Sequence, residues 1–399
     1  MKTPKASARQ RRRADDAFSI DELRAQSAKI LPRGIFDFYD GGSEDESTLR
    51  ENLTQFSRYR FVPRYLMDVS EVDTNCDLLG ASWASPLAVS PTGAIGYGWP
   101  RGEIAIARAA RDAGIPYALP TSATCSIEQV AQAVPDARLW FQAYILRKRE
   151  FTLGLIDRAL KAGYEALIIT VDMPTGGKRE RDMRNEFGLP FRFTPRNVLD
   201  FATHPGWVGR LLTHGMPVLE NMKGFVPDNI STSAIASSVG KNYDPAFCWN
   251  DLAQIRDLWP RKLLIKGLLH PGDAQKAQHQ GFDGIIVSNH GGRQLDGAIG
   301  TLEALPAIRR AVGERMPLLL DGGVRRGADI LKAIALGANA VMVGRPVLYG
   351  VSVAGQTGVE RALFLLNDEL TRAMRLSGVA RLAEVNHELL GLTAPHALP

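Results

Sequence analysis

Cysteine is scarce in this chain. Its 399 residues hold three, Cys76, Cys125 and Cys248. They lie far apart, with no C-x-x-C pair and no even-numbered framework, so a disulfide scaffold is excluded and a reducing, cytoplasmic compartment is expected. No metal site is expected. No apolar run approaches the roughly 20 residues that cross a bilayer. The basic N-terminus lacks an apolar h-region, so no signal peptide is expected. A strong charge bias is missing too: net charge is +5, which is too weak to suggest nucleic-acid binding. No G-x-G-x-x-G follows an early strand, which argues against a Rossmann nucleotide site.

What is present is an ordinary globular composition, 45% hydrophobic and 23% charged, with enough apolar side chains for a full core. Residues 1–15 read as a disordered basic tail, because Lys2, Lys5, Arg9, Arg11, Arg12 and Arg13 precede the first acid, Asp15. Residues 16–399 read as a single domain. Eight short apolar segments punctuate it: Pro86–Ser90, Tyr117–Pro120, Leu139–Tyr144, Ala166–Val171, Leu263–Lys266, Gly284–Ser288, Pro317–Leu320 and Ala340–Val343. Most are continuous runs, as strands buried on both faces should be. Amphipathic stretches such as Gly102–Ala113, Phe151–Ala162 and Thr301–Ala311 lie between them, and Gly114, Gly163, Gly281 and Gly337 supply helix stops. Eight strand–helix repeats predict an α/β fold, a (β/α)8 TIM barrel, in preference to an open doubly wound sheet. An N-terminal helical extension (16–85) and a long insertion after strand four (174–250) stand outside the repeat. The insertion carries Phe187, Phe191, Phe193, Phe201 and Trp207, with nine basic residues against seven acidic ones. A loop this long at a barrel mouth reads as a lid, a partner surface or a peripheral membrane contact.

The chemistry gathers at strand ends. After strand six comes Ser288-Asn289-His290-Gly291-Gly292-Arg293-Gln294-Leu295-Asp296. His290 can accept a proton near neutral pH, and Arg293 can grip a carboxylate through two hydrogen bonds. A base beside a carboxylate anchor suits oxidation of a 2-hydroxy acid. After strand four, Asp172 is placed to orient His290, and Arg179, in the run Lys178–Asp182, is a second clamp. Lys266 ends an apolar strand, so it should turn into the pocket and stabilise negative charge on a reduced cofactor. Gln142 and Tyr144 share one strand face, the first for a heterocycle edge, the second for a substrate oxygen. Asp321-Gly322-Gly323-Val324-Arg325-Arg326-Gly327 after strand seven and Gly344-Arg345-Pro346 after strand eight form a phosphate-type anion site.

With SNHGGRQLD at 288–296, DGGVRRG at 321–327 and IKG at 265–267, the chain from about Leu31 to about Leu390 resembles the FMN-dependent 2-hydroxy acid dehydrogenase and oxidase family. KRERD at 178–182, HGMP at 214–217 and IRDLWP at 255–260 resemble its (S)-mandelate / L-lactate dehydrogenase branch. The resemblance implies FMN as cofactor, His290 as base with Asp172 as its partner, Arg293 and Arg179 on the substrate carboxylate, and Tyr144 on the substrate. It implies that Lys266, Gln142, Thr170, Ser288 and the turn Pro91-Thr92-Gly93 surround the flavin ring, and that Asp321, Gly323, Arg325, Gly344 and Arg345 hold the ribityl phosphate. It further implies a quinone-type electron acceptor, a homotetramer, and peripheral association with the inner membrane face. Gly93 favours a dehydrogenase over an oxygen-using oxidase. Two departures stand out: Phe38 replaces the family's usual tyrosine, which bonds the substrate carboxylate, and Pro120 replaces a frequent serine. A barrel for another phosphate-bearing ligand and a flavin-holding protein without catalysis are the competing readings.

Overall fold

The computed structural model of the chain describes residues 3–186, 194–225 and 242–392. Phe187, Phe191 and Phe193 of the insertion lie outside the described residues. Eight parallel strands close into a barrel: β1 (Leu87–Val89), β2 (Tyr117–Pro120), β3 (Leu139–Tyr144), β4 (Ala166–Thr170), β5 (Lys262–Leu268), β6 (Gly284–Val287), β7 (Leu318–Asp321) and β8 (Ala340–Val343). β8 returns to β1 through Val341, Met342 and Val343 beside Leu87, Ala88 and Val89, which closes the ring.

The side-chain period of two along each strand sorts the core into two clusters. One set of positions, including Val89, Leu119, Phe141, Leu167, Ile265, Val287, Leu320 and Val343, packs outward against the helices. The alternate set, Ala88, Ala118, Trp140, Ile168, Leu264, Ile286, Leu319 and Met342, fills the barrel. An antiparallel hairpin, Cys76–Leu78 with Ala81–Trp83, plugs the N-terminal end, where Trp83 meets Trp140 at 5.5 Å between ring centroids. The interior positions continue upward by twos. The next residues are Ser90, Pro120, Gln142 and then Tyr144, Thr170, Lys266, Ser288, Asp321 and Gly344. A register that buries aliphatics below therefore delivers polar groups at the mouth.

One element differs from the sequence expectation. Residues Ala8–Asp15 form a helix, opened by a Ser7–Gln10 capping box, where disorder was expected. Its like charges line a solvated face, while Ala14 and Ala17 are buried, and the helix packs on the long C-terminal helix Arg345–Ser377. Arg361 of that helix donates to the Ala17 carbonyl at 2.8 Å. The insertion, where it is described, forms helices Pro195–Ala202 and Pro205–His214 before the barrel helix Trp249–Leu258. No helix among the described residues is long and apolar enough to cross a membrane.

Candidate active site

The turn after β6 carries its histidine in an unusual backbone state. His290 has φ 58°, followed by Gly291 at 65° and Gly292 at 73°. Three successive left-handed residues fold the chain back sharply, a conformation that costs a non-glycine residue about 1–3 kcal/mol and persists only where its surroundings hold it. The holding contacts are visible. The His290 amide donates to Ser288 Oγ (3.0 Å). Asn289 and Asn52 exchange side-chain amide bonds of 2.7 and 2.8 Å, both buried. A side chain at Gly292 would meet the Leu49 backbone at 2.6 Å.

The strain places the imidazole between two partners. Nδ1 lies 2.9 Å from Asp172 Oδ1 and Nε2 lies 3.3 Å from the Tyr144 hydroxyl. Asp172 reaches Nδ1 because β5 bulges at Gly267, φ 105°, where a Cβ would fall 2.6 Å from the carboxylate carbon. Burial lowers the His290 pKa below its ordinary 6.5, and Asp172 opposes that shift. Burial alone would raise Asp172, but His290 and Lys266 hold its carboxyl below the usual range. An ionised carboxylate at Nδ1 fixes the proton there and leaves Nε2 as the acceptor.

Beside this dyad lies a concentrated positive charge. The guanidinium carbons of Arg179 and Arg293 sit 5.8 and 5.2 Å from the Phe38 ring centroid. Arg179 is anchored by Asp182 at 2.7 Å and Arg293 by the Gly41 carbonyl at 2.8 Å. Burial, with Arg179 and Arg345 nearby, pushes Arg293 down to about 9. A guanidinium that loses so much solvation needs an anion. Tyr39, next to Phe38, faces elsewhere, donating to the Ala94 carbonyl (2.9 Å) and accepting from the Gly98 amide (2.9 Å).

His290, Tyr144, Arg179, Arg293 and Phe38 open on one cleft of about 1160 Å3 at the barrel mouth, large enough for a cofactor and a small substrate together. Pro91, Thr92, Gly93, Lys266, Asp321, Gly323, Arg325, Gly344 and Arg345 also line it. Asp172, Gln142, Thr170 and Ser288 stand just behind the lining. Lys266 donates to Ser288 Oγ at 2.8 Å and pairs with Asp321 at 3.2 Å, while Gln142 Nε2 donates to Thr170 Oγ1 at 2.9 Å. Several buried polar atoms here lack a partner among the described residues: Thr92 Oγ1, Gln142 Oε1 and Asp321 Oδ1. A Cβ at Gly93 would strike Ser122 Oγ at 2.2 Å and one at Gly323 the Asn52 carbonyl at 1.7 Å. A wall of backbone and unspent hydrogen-bonding groups suits a flat polar heterocycle with a phosphate tail.

Residues 27–392 match the family described as FMN-dependent dehydrogenase. The chain belongs to that family. Its cofactor is therefore FMN and its chemistry oxidoreduction. The (S)-mandelate dehydrogenase of Pseudomonas putida is 41% identical over 378 residues, 94% of either chain. The L-lactate dehydrogenase of Ectopseudomonas mendocina (strain ymp) is 40% identical, covering 92% of this chain and 97% of that one. The crystal structure of the monotopic membrane protein (S)-mandelate dehydrogenase superposes with a TM-score of 0.90 at 40% identity, covering 95% of this chain and all of the other.

Arg345 lines the cleft, and three of its five guanidinium N–H groups donate to the carbonyls of Tyr39 (3.2 Å), Gly41 (2.8 Å) and Gly291 (2.9 Å). It ties the N-terminal extension to the histidine turn. Asn52 and Tyr243 were not legible beforehand. Each lies in a stretch without a motif and reaches the mouth only through tertiary packing.

Proposed function

We propose that the protein oxidises an (S)-2-hydroxy acid, mandelate- or lactate-like, to the 2-oxo acid and passes the electrons to a quinone. Overall, a 2-hydroxy acid and a quinone become a 2-oxo acid and a quinol, so two electrons and two protons change hands. The observation that carries this reading is the His290–Asp172 pair at 2.9 Å beside two guanidinium groups on one aromatic face. Arg179 and Arg293 hold the carboxylate, which fixes the hydroxyl end of the substrate toward His290. Nε2 removes the hydroxyl proton, and the imidazolium formed is stabilised by Asp172. Tyr144, already 3.3 Å from Nε2, hydrogen-bonds the same oxygen. When bound, FMN supplies the two-electron acceptance that no side chain can. Gln142, Thr170, Lys266, Ser288 and the Pro91–Gly93 turn hold the ring, with Lys266 as the fixed positive charge beside it. Asp321, Gly323, Arg325, Gly344 and Arg345 hold the phosphate end.

The reading includes a homotetramer and peripheral contact with the cytoplasmic membrane face through the insertion. Supporting the contact, Leu199 and Leu212 of the insertion helices are 69% and 81% exposed, and the (S)-mandelate dehydrogenase with the similar structure is a monotopic membrane protein.

The test is anaerobic mixing of the yellow holoenzyme with (S)-2-hydroxy acids while flavin absorbance is followed. Bleaching is expected, and a flavin that stays oxidised against every acid sinks the reading. Hydrogen peroxide measured in air separates a dehydrogenase, which releases little, from an oxidase.

A further inference from the structure

Beyond the residues already given roles, the cleft contains one more tyrosine, Tyr243, supplied by the returning end of the insertion. Its ring is almost fully buried, 5% exposed, and lies 5.2 Å from that of Tyr144 at an interplanar angle of 56°. Its hydroxyl makes no hydrogen bond to another described residue. The other phenols at the mouth are committed: Tyr39 to the 94–98 turn, and Tyr144 to His290.

The backbone around Tyr243 is clamped with a strength that a passing loop does not need. The Arg147 amide donates to the Asn242 carbonyl (2.8 Å) and the Asp244 amide to the Ile145 carbonyl (3.0 Å), so the residues on either side are laddered to the loop after β3. Arg149 then bridges Asp244 (2.8 Å) and Asp251 (2.7 Å). These bonds fix both neighbours of Tyr243 and leave its side chain facing the cleft. The ring is thus pre-ordered, and no ordering entropy is lost when something packs on it. Phe38, Met173 and Leu219 add apolar surface to the same lining.

We propose that Tyr243 is a specificity-determining residue whose ring walls the side-chain end of the substrate pocket and selects an aryl-substituted 2-hydroxy acid over a short alkyl one. The proposal rests on the 2-hydroxy acid reading above. An aryl group meets the fixed ring in a tilted or stacked contact, the geometry aromatic pairs prefer. A methyl group leaves that face uncovered in a dry pocket.

The test compares (S)-mandelate with L-lactate on the holoenzyme, as the second-order rate constant of anaerobic flavin bleaching. Wild type is expected to favour mandelate at least tenfold. Tyr243→Ala is expected to cut that ratio at least tenfold, and Tyr243→Phe, which keeps the ring, to hold it within threefold of wild type. A merely structural role lowers both constants in parallel and leaves the ratio in place, which overturns the proposal. Binding of phenylglyoxylate against pyruvate, read from the shift in flavin absorbance, reports the same preference without turnover. If Tyr243→Ala fails to fold, Tyr243→Leu carries the comparison. A wild type that bleaches with lactate alone defeats this proposal and leaves the oxidation reading intact. Bleaching with neither acid defeats both.

Discussion

A base in an enzyme of this kind must be neutral to work, and burial drives His290 toward that form. Because its pKa lies below 6.5, the rate of flavin reduction should rise with pH through a value under 6.5 and then level off. Asp172 acts in the opposite direction, raising the histidine's affinity for protons. Asp172→Asn should therefore move the rising limb to still lower pH while reducing the plateau roughly 100-fold or more, since the imidazolium loses its counter-charge. A limb that moves upward contradicts the pairing. His290→Gln should keep the flavin spectrum and lose roughly 10²–10⁴ in bleaching rate. Phe38 offers a test by addition. Phe38→Tyr adds a hydroxyl to a ring whose centroid lies 5.8 and 5.2 Å from the two guanidinium carbons. One further hydrogen bond to the carboxylate is worth about 0.5–1.5 kcal/mol, so KM should fall about 2- to 12-fold. A raised KM would mean that the bare ring face serves the arginines better than the added bond serves the substrate.

Among the elements, the barrel strands were the most legible, for a physical reason. Buried parallel strands need unbroken apolar runs, and Tyr117–Pro120, Leu139–Tyr144 and Ala340–Val343 begin and end where those runs do. Their polar ends, Gln142, Lys266, Ser288 and Asp321, follow from the same period of two. Parts that depend on distant partners were not legible. The Ala8–Asp15 helix is stabilised by a C-terminal helix some 350 residues away in sequence, so its charges alone suggested disorder. Arg345 could be read as a cleft residue, but not its bonds to the carbonyls of residues 39, 41 and 291. Gly267 could be seen in its motif, but not the bulge that lets Asp172 approach. The insertion carries its own prediction. Exposed Leu199 and Leu212 on its helices should account for the proposed membrane contact. Leu199→Glu with Leu212→Glu should shift the protein from the membrane pellet to the supernatant while flavin bleaching by substrate persists. Unchanged pelleting would assign the contact to another surface.

For the whole molecule, the question is what makes a barrel and an extension preceding it into one cooperative enzyme. The N-terminal segment roofs the mouth at several points. Asn52 pairs with Asn289, Asp296 accepts from the Thr48 amide at 2.8 Å, and the Ser43 amide donates to the Gly292 carbonyl at 2.9 Å. The tightest contact is at Gly323, in the loop we assign to the cofactor's phosphate end. Its φ is 90°, and a Cβ there would sit 1.7 Å from the Asn52 carbonyl oxygen. Gly323→Ala must therefore either push the extension off the mouth or distort the loop. The penalty combines an unfavourable backbone state with a backbone clash, roughly 2–4 kcal/mol. The same displacement strains the Asn52–Asn289 pair and through it the histidine turn. Flavin content and melting temperature should accordingly fall together. Added FMN should recover only part of the loss, because binding stabilises the native state by RT ln(1 + [L]/Kd) and the variant's Kd is itself raised. Asn52→Ala separates the two contributions. It leaves Gly323 unhindered but removes two hydrogen bonds from the buried Asn289 amide, which keeps the Ile299 carbonyl and the Gly292 amide as partners, at a cost of about 1–3 kcal/mol. That variant should melt early yet retain flavin better than Gly323→Ala. If both variants held FMN and melted as wild type does, the extension would be a passive cover, and the rigidity of the His290 turn would have to come from the barrel alone.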